Sequence, residues 1–184
     1  MERAVAITTE YEETELGREP LRRLATWTTP RQSGKSVAQQ ILALSWMSEA
    51  PGLHGIYMAQ NRLSATNRLR GMTALCQRAG LDHKATFGVG NEKLILYVDG
   101  EESVIQVMAP TESAAHGESL DLAILDEIAF IDPIVMQGIT PAMAARPEAL
   151  LLMVSTAGTL AGSDLLNGLV AQGSEYSTYV ISPL

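Results

Sequence analysis

From Leu24 onward the chain alternates short apolar runs with longer stretches of helical periodicity, the pattern of strands and helices that alternate in a parallel α/β sheet. Residues 24–28 read as a strand, and the turn Thr29-Pro30-Arg31-Gln32-Ser33-Gly34 leads into a helix over residues 36–49, with Val37, Ile41, Leu44 and Trp46 among its apolar positions. Pro51-Gly52 stops that helix, because proline cannot continue it and glycine accepts the turn that follows. Residues 55–59 read as a second strand and residues 62–79 as a second helix, closed by Gly80. Two β-rich runs, residues 93–98 and 103–108, are joined around Asp99-Gly100, a dipeptide suited to a tight hairpin turn, and the hairpin is assigned to the sheet edge. Residues 122–125 and 150–154 are wholly apolar and read as buried strands, with Pro133 opening a helix between them. Residues 1–20 are acidic with little apolar periodicity and read as a loose N-terminal segment. The folded domain is expected over 21–173, with 174–184 as a tail.

With 184 residues, 46% of them hydrophobic, the chain has the material for one well-cored domain. Thirteen basic against 21 acidic residues give a net charge of −8, which argues against a protein that grips nucleic acid over its whole surface. Contact with DNA through a few loops remains open. Cys76 is the single cysteine, so an internal disulfide and a cysteine-based zinc site are excluded; it reads as a buried thiol on a helix. No apolar run is long enough to span a membrane, and the acidic N-terminus does not resemble a signal peptide, so a soluble cytoplasmic protein is expected. His54, His83 and His116 are too scattered for a metal site. Only His116, in the loop before an acidic pair, is kept as a candidate near a site. Arg62, Arg68, Arg70 and Arg78 on the second helix read as a solvated face rather than a DNA patch, with an arginine finger for a neighbouring subunit as a further alternative.

The candidate chemistry starts at residues 29–36. Gly34-Lys35-Ser36 ends a strand–loop–helix connection as the G-x-x-x-x-G-K-[ST] phosphate loop requires, although Thr29 stands where that pattern has its first glycine. Backbone N–H groups of Pro30-Arg31-Gln32-Ser33-Gly34 and of the helix start can converge on phosphate oxygens, aided by the helix dipole; Pro30 itself contributes only its fixed backbone shape. Lys35 would reach the β- and γ-phosphates of ATP, and the Ser36 hydroxyl is a natural Mg²⁺ ligand. A Gly-Lys-Ser/Thr tripeptide alone arises by chance in roughly one chain in ten of this length, so a second motif has to decide the matter. Asp126-Glu127, directly after an apolar strand, is that motif. Asp126 can hold Mg²⁺ and Glu127 can orient or deprotonate an attacking water. The two motifs occur in the order expected of a nucleotide hydrolase, 91 residues apart (126 − 35). Ser155-Thr156, at the end of the last strand, offers hydroxyls that can sense the γ-phosphate or its water; a plain strand end is the competing reading.

Taken together, Pro30-Arg31-Gln32-Ser33-Gly34-Lys35-Ser36, Ala115-His116-Gly117 before Leu122-Ala123-Ile124-Leu125-Asp126-Glu127, and Met153-Val154-Ser155-Thr156-Ala157-Gly158 resemble the large subunit of bacteriophage terminase over roughly residues 21–160. The resemblance implies a three-layer, RecA-like P-loop NTPase with a mostly parallel central sheet and an additional strand between the loop strand and the Asp-Glu strand. It implies Mg-dependent ATP hydrolysis with Glu127 as catalytic carboxylate, Arg31 on the nucleotide phosphates, and Ser155 and Thr156 coupling hydrolysis to movement. It further implies double-stranded DNA, a small terminase subunit and the portal protein as partners. The setting would be a homo-oligomeric ring at the prohead portal in the host cytoplasm. Two departures carry expectations of their own: no RNase H-like nuclease domain fits, so no nuclease activity is expected, and the short stretch before the loop leaves an adenine pocket incomplete. A helicase-type P-loop ATPase and a non-catalytic fragment remain the rival readings.

Overall fold

The computed structural model describes residues 11–14, 17–20, 24–30, 32–111 and 113–156. Among the described residues nine strands and three α-helices follow one another: β1 (Tyr11–Thr14), β2 (Gly17–Pro20), β3 (Leu24–Thr29), α1 (Lys35–Glu49), β4 (His54–Met58), α2 (Arg62–Ala79), β5 (His83–Thr86), β6 (Lys93–Val98), β7 (Glu101–Val107), β8 (Leu122–Asp126), α3 (Met136–Ala144) and β9 (Leu150–Thr156). Seven of the strands make one sheet in the order β3-β9-β8-β4-β7-β6-β5. The four junctions from β3 to β7 are parallel and the two beyond are antiparallel. β9, inserted between β3 and β8, is the additional strand between loop strand and Asp-Glu strand.

Helices cover both faces of the sheet, which makes three layers. α1 and α2 close one face over Trp27, Leu42, Met47, Tyr57, Leu69 and Met72; α3 closes the other over Ile56, Met58, Leu125, Ile128, Ile139 and Met143. Tyr57 and its neighbours Ile56 and Met58 belong to opposite cores because successive strand residues point to opposite faces. Every residue of β8 and β9 is buried, as the apolar runs 122–125 and 150–154 require of strands sandwiched between helices.

Local chemistry fixes the element ends. The Asn61 side chain accepts from Ser64 N at 2.9 Å to cap α2, and Gly80, with φ +67°, lets the chain leave that helix in the left-handed conformation. Asp99 and Gly100 both have positive φ (51° and 87°), so the β6–β7 connection is the two-residue turn foreseen from Asp-Gly. The hairpin lies in the antiparallel edge region of the sheet, as expected, and a short further strand, β5, pairs outside β6; a four-residue His-Lys-Ala-Thr strand carries too little apolar alternation to announce itself. Two expectations need correction. The loose segment assigned to 1–20 contains the two-stranded β1–β2 ladder, whose backbone pairing no apolar pattern advertises. Pro133 opens a short 3₁₀ turn, Pro133–Val135, rather than the α-helix itself. Residues 157–173 of the expected domain and the tail lie outside the described residues.

Candidate active site

The carboxyl ends of β3, β9, β8 and β4 open on one side of the sheet, where an α/β fold places its ligand crevice. A cleft of about 630 Å³ lies there, with Pro30, Gln32, Ser33, Gly34, Lys35 and Ser36 on one wall, Ser64 and Arg68 of α2 among its other lining residues, and Asp126, Glu127 and Thr156 beside them. The register explains the convergence. Thr29 of β3 is level with Thr156 of β9, and Val154, two residues earlier, is level with Asp126 of β8.

Lys35 is the hub of the cleft. It is only 8% exposed, and its Nζ donates to Glu127 Oε1 at 2.6 Å and to Thr156 Oγ1 at 3.1 Å, with Asp126 Oδ1 at 3.9 Å. Thr156 Oγ1 in turn donates to Glu127 Oε1 at 3.3 Å. Asp126 is 1% exposed, a burial that a carboxylate tolerates only with partners. Gln39 Nε2 donates to its Oδ1 at 3.1 Å, while Arg68 Nε at 3.0 Å and the Tyr57 hydroxyl at 3.4 Å donate to Oδ2. The single Tyr57 hydroxyl proton is shared between Asp126 Oδ2 and Gln39 Oε1, so Gln39, Tyr57 and Arg68 together hold Asp126 in place. Burial, reinforced by the neighbouring Asp126 charge, pushes the Tyr57 hydroxyl well above its ordinary value and keeps it a donor. Glu127, at φ 58° and ψ 52°, occupies the left-handed region as a non-glycine residue, the kind of held conformation that clusters at functional sites. That backbone turn lets two successive residues both face the cleft, where an extended strand would send them to opposite faces.

The loop has the features of an anion cradle. Among the described residues no side chain caps the first turn of α1, which leaves its leading N–H groups without a cap. Ser33 Oγ is buried and meets no hydrogen-bond partner among the described residues. Gly34, with φ +80°, has open space where a side chain would stand, leaving room for a phosphate against the backbone. For a divalent cation, Ser36 and Asp126 line the same cleft. Among the described residues no cluster of three or more His, Cys, Asp or Glu is found.

Of the residues singled out in the sequence, Pro30, Gln32, Ser33, Gly34, Lys35, Ser36, Asp126, Glu127 and Thr156 meet at this cleft, whereas Ser155 is fully buried in β9 and does not line it. Arg31 lies outside the described residues. His116 is exposed, packs by Gly138 and does not line the cleft. The solvated-face reading of the α2 arginines fails for two of them: Arg68 reaches Asp126, and Arg62 forms a two-pronged pair with Glu92; Arg70, 5.3 Å over the Phe87 ring, and Arg78 are exposed as expected. Gln39 was also missed, although its place one turn beyond Lys35 puts the two on one helix face.

The fold is that of a RecA-like α/β domain, with the 29–36 loop and the cleft at the carboxyl edge of its sheet. It is the fold of phage large terminase ATPase domains. The chain superposes on a point mutant of the large terminase ATPase domain of Thermus phage P74-26 with a TM-score of 0.62, 21% identity, and coverage of 73% of this chain and 60% of that one. The HK97 bacteriophage large terminase gives 0.65 at 21% identity, covering 93% and 40%. The large terminase of a thermophilic bacteriophage in complex with ATP-gamma-S gives 0.67 at 13% identity, covering 87% and 39%. The chain thus spans 60% of the P74-26 ATPase domain and about two fifths of the two large terminases. No protein-family model and no curated protein sequence matches it. Among the described residues no helix is long and apolar enough to cross a membrane.

Proposed function

We propose that this chain is the ATP-hydrolysing motor domain of a phage large terminase that powers packaging of double-stranded DNA. The observation that carries the reading is the meeting of Lys35, Asp126, Glu127 and Thr156 in one cleft beside an uncapped helix start. The loop N–H groups and Lys35 bind the triphosphate, with Arg31 as a further phosphate ligand through the bidentate chemistry of its guanidinium. Ser36 and Asp126 would hold Mg²⁺, which when bound neutralises charge on the phosphates. Glu127 Oε1, now bonded to Lys35, turns to water once phosphate oxygens replace it on the ammonium; it orients that water and accepts its proton as it attacks. Thr156 bonds both Lys35 and Glu127, so it registers which partner Lys35 holds and is suited to couple hydrolysis to movement. Ser155 has a supporting place beneath it in the same strand.

Double-stranded DNA, a small terminase subunit, a portal protein and a homo-oligomeric ring in the host cytoplasm complete the proposed setting. The first experiment is calorimetry with Mg-ATP on the purified chain and on Lys35→Ala. Binding that the substitution abolishes supports the site, and ATP turnover stimulated by DNA together with portal-bearing proheads then supports packaging. Turnover stimulated by DNA alone, with strand separation, would assign the same cleft to a helicase instead. Absence of binding in both chains would overturn the enzymatic reading.

A further inference from the structure

The structure assigns Arg68 a second partner: we infer that it is a ligand of the terminal phosphate, held on Asp126 until a nucleoside triphosphate arrives. The inference rests on reading the cleft as a triphosphate site. Lys35 and Arg68 face Asp126 and Glu127 in the cleft, two positive charges against two negative ones. A triphosphate entering with one divalent cation adds net negative charge, so the positive side chains have to be shared with it. Asp126 must also free an oxygen to take a cation, and both of its oxygens are engaged. The Tyr57 hydroxyl cannot follow a departing ligand, because it is fully buried and also tied to Gln39. Arg68 can. Its side chain is 32% exposed, lines the cleft and commits only Nε to Asp126, and a guanidinium carries five N–H donors.

The helix delivers this group as a fixed arm. α2 is capped by Asn61 and pinned at its first residue by the Arg62–Glu92 pair, with Arg62 Nη2 2.7 Å from Glu92 Oε2. Arg62 and Arg70 are occupied elsewhere and Arg78 does not line the cleft, so Arg68 is the α2 arginine that the cleft can recruit. Exchange of Arg68 between Asp126 and phosphate would distinguish triphosphate from diphosphate and report the difference to α2.

The test is calorimetric binding of ADP and of ATP-gamma-S, each with Mg²⁺, to the wild-type chain, Arg68→Gln and Arg68→Lys, with thermal unfolding of each. Loss of a charge-assisted contact to the terminal phosphate should weaken ATP-gamma-S roughly ten- to a hundredfold in Arg68→Gln. ADP affinity should stay within about threefold of wild type, and Arg68→Lys should fall between the two. A residue that only steadies Asp126 would move both nucleotides together, so equal losses, or no loss of either, overturn the proposal. Should Arg68→Gln fail to fold, the ratio of the two affinities in Arg68→Lys decides by the same criterion. A wild-type chain that binds neither nucleotide overturns the triphosphate reading itself, an outcome distinct from equal losses in the variants.

Discussion

Replacing Glu127 by glutamine removes one charge from the cleft while keeping an acceptor of the same shape. At 2.6 Å the bare attraction between Glu127 and Lys35 is about 6 kcal/mol at an effective dielectric of 20. Little of this appears as stability: the Glu127 side chain is 25% exposed, desolvation opposes the pair, and the glutamine oxygen still accepts from Lys35 Nζ. The folded state should therefore change by no more than about 1–2 kcal/mol. Nucleotide binding should be unchanged or up to roughly tenfold tighter, because Lys35 loses an anionic competitor to the phosphates. Turnover should fall roughly 10²- to 10⁴-fold, since an amide cannot take the proton of the attacking water. Calorimetry of Mg-ATP and phosphate release measured on the same preparation check both halves. Turnover within about threefold of wild type would remove Glu127 from the chemistry, and joint loss of binding and turnover would make it a ligand rather than a base.

Lys35→Ala should weaken ADP and ATP together, because it deletes the charge at the centre of the cleft; equal nucleotide affinity in Lys35→Ala and Glu127→Gln would contradict the division of roles. Gly138→Ala should destabilise the domain by about 1–3 kcal/mol, since the added methyl would collide with the backbone oxygen of Ala114; an unchanged thermal midpoint would refute that packing. Burial pushes the Cys76 thiol from 9.0 up to about 11, so the unfolded chain loses its proton first and stability should drop between those values as pH rises. The slope in denaturant titrations across that window should be shallower in Cys76→Ala, whose difference from wild type separates the thiol from Tyr57; identical slopes would refute the assignment.

Hydrophobic periodicity and turn chemistry were enough to read the main elements, because each rests on local rules. The apolar runs of β8 and β9 declare strands buried on both faces, Gly80 declares a helix end, and Asp99-Gly100 declares a two-residue turn. Lys35, Ser36, Asp126 and Glu127 were legible for the same reason, since each belongs to a short segment whose chemistry and chain context agree. What lies beyond those segments needed the tertiary structure. β5 and the β1–β2 ladder are held by backbone pairing, which leaves no side-chain pattern to read. Gln39, Tyr57 and Arg68 come from α1, β4 and α2, and nothing in their neighbourhoods indicates a carboxylate. Only the insertion of β9 and the pairing of β4 with β8 bring them around Asp126, where burial of that charge makes their hydrogen bonds obligatory.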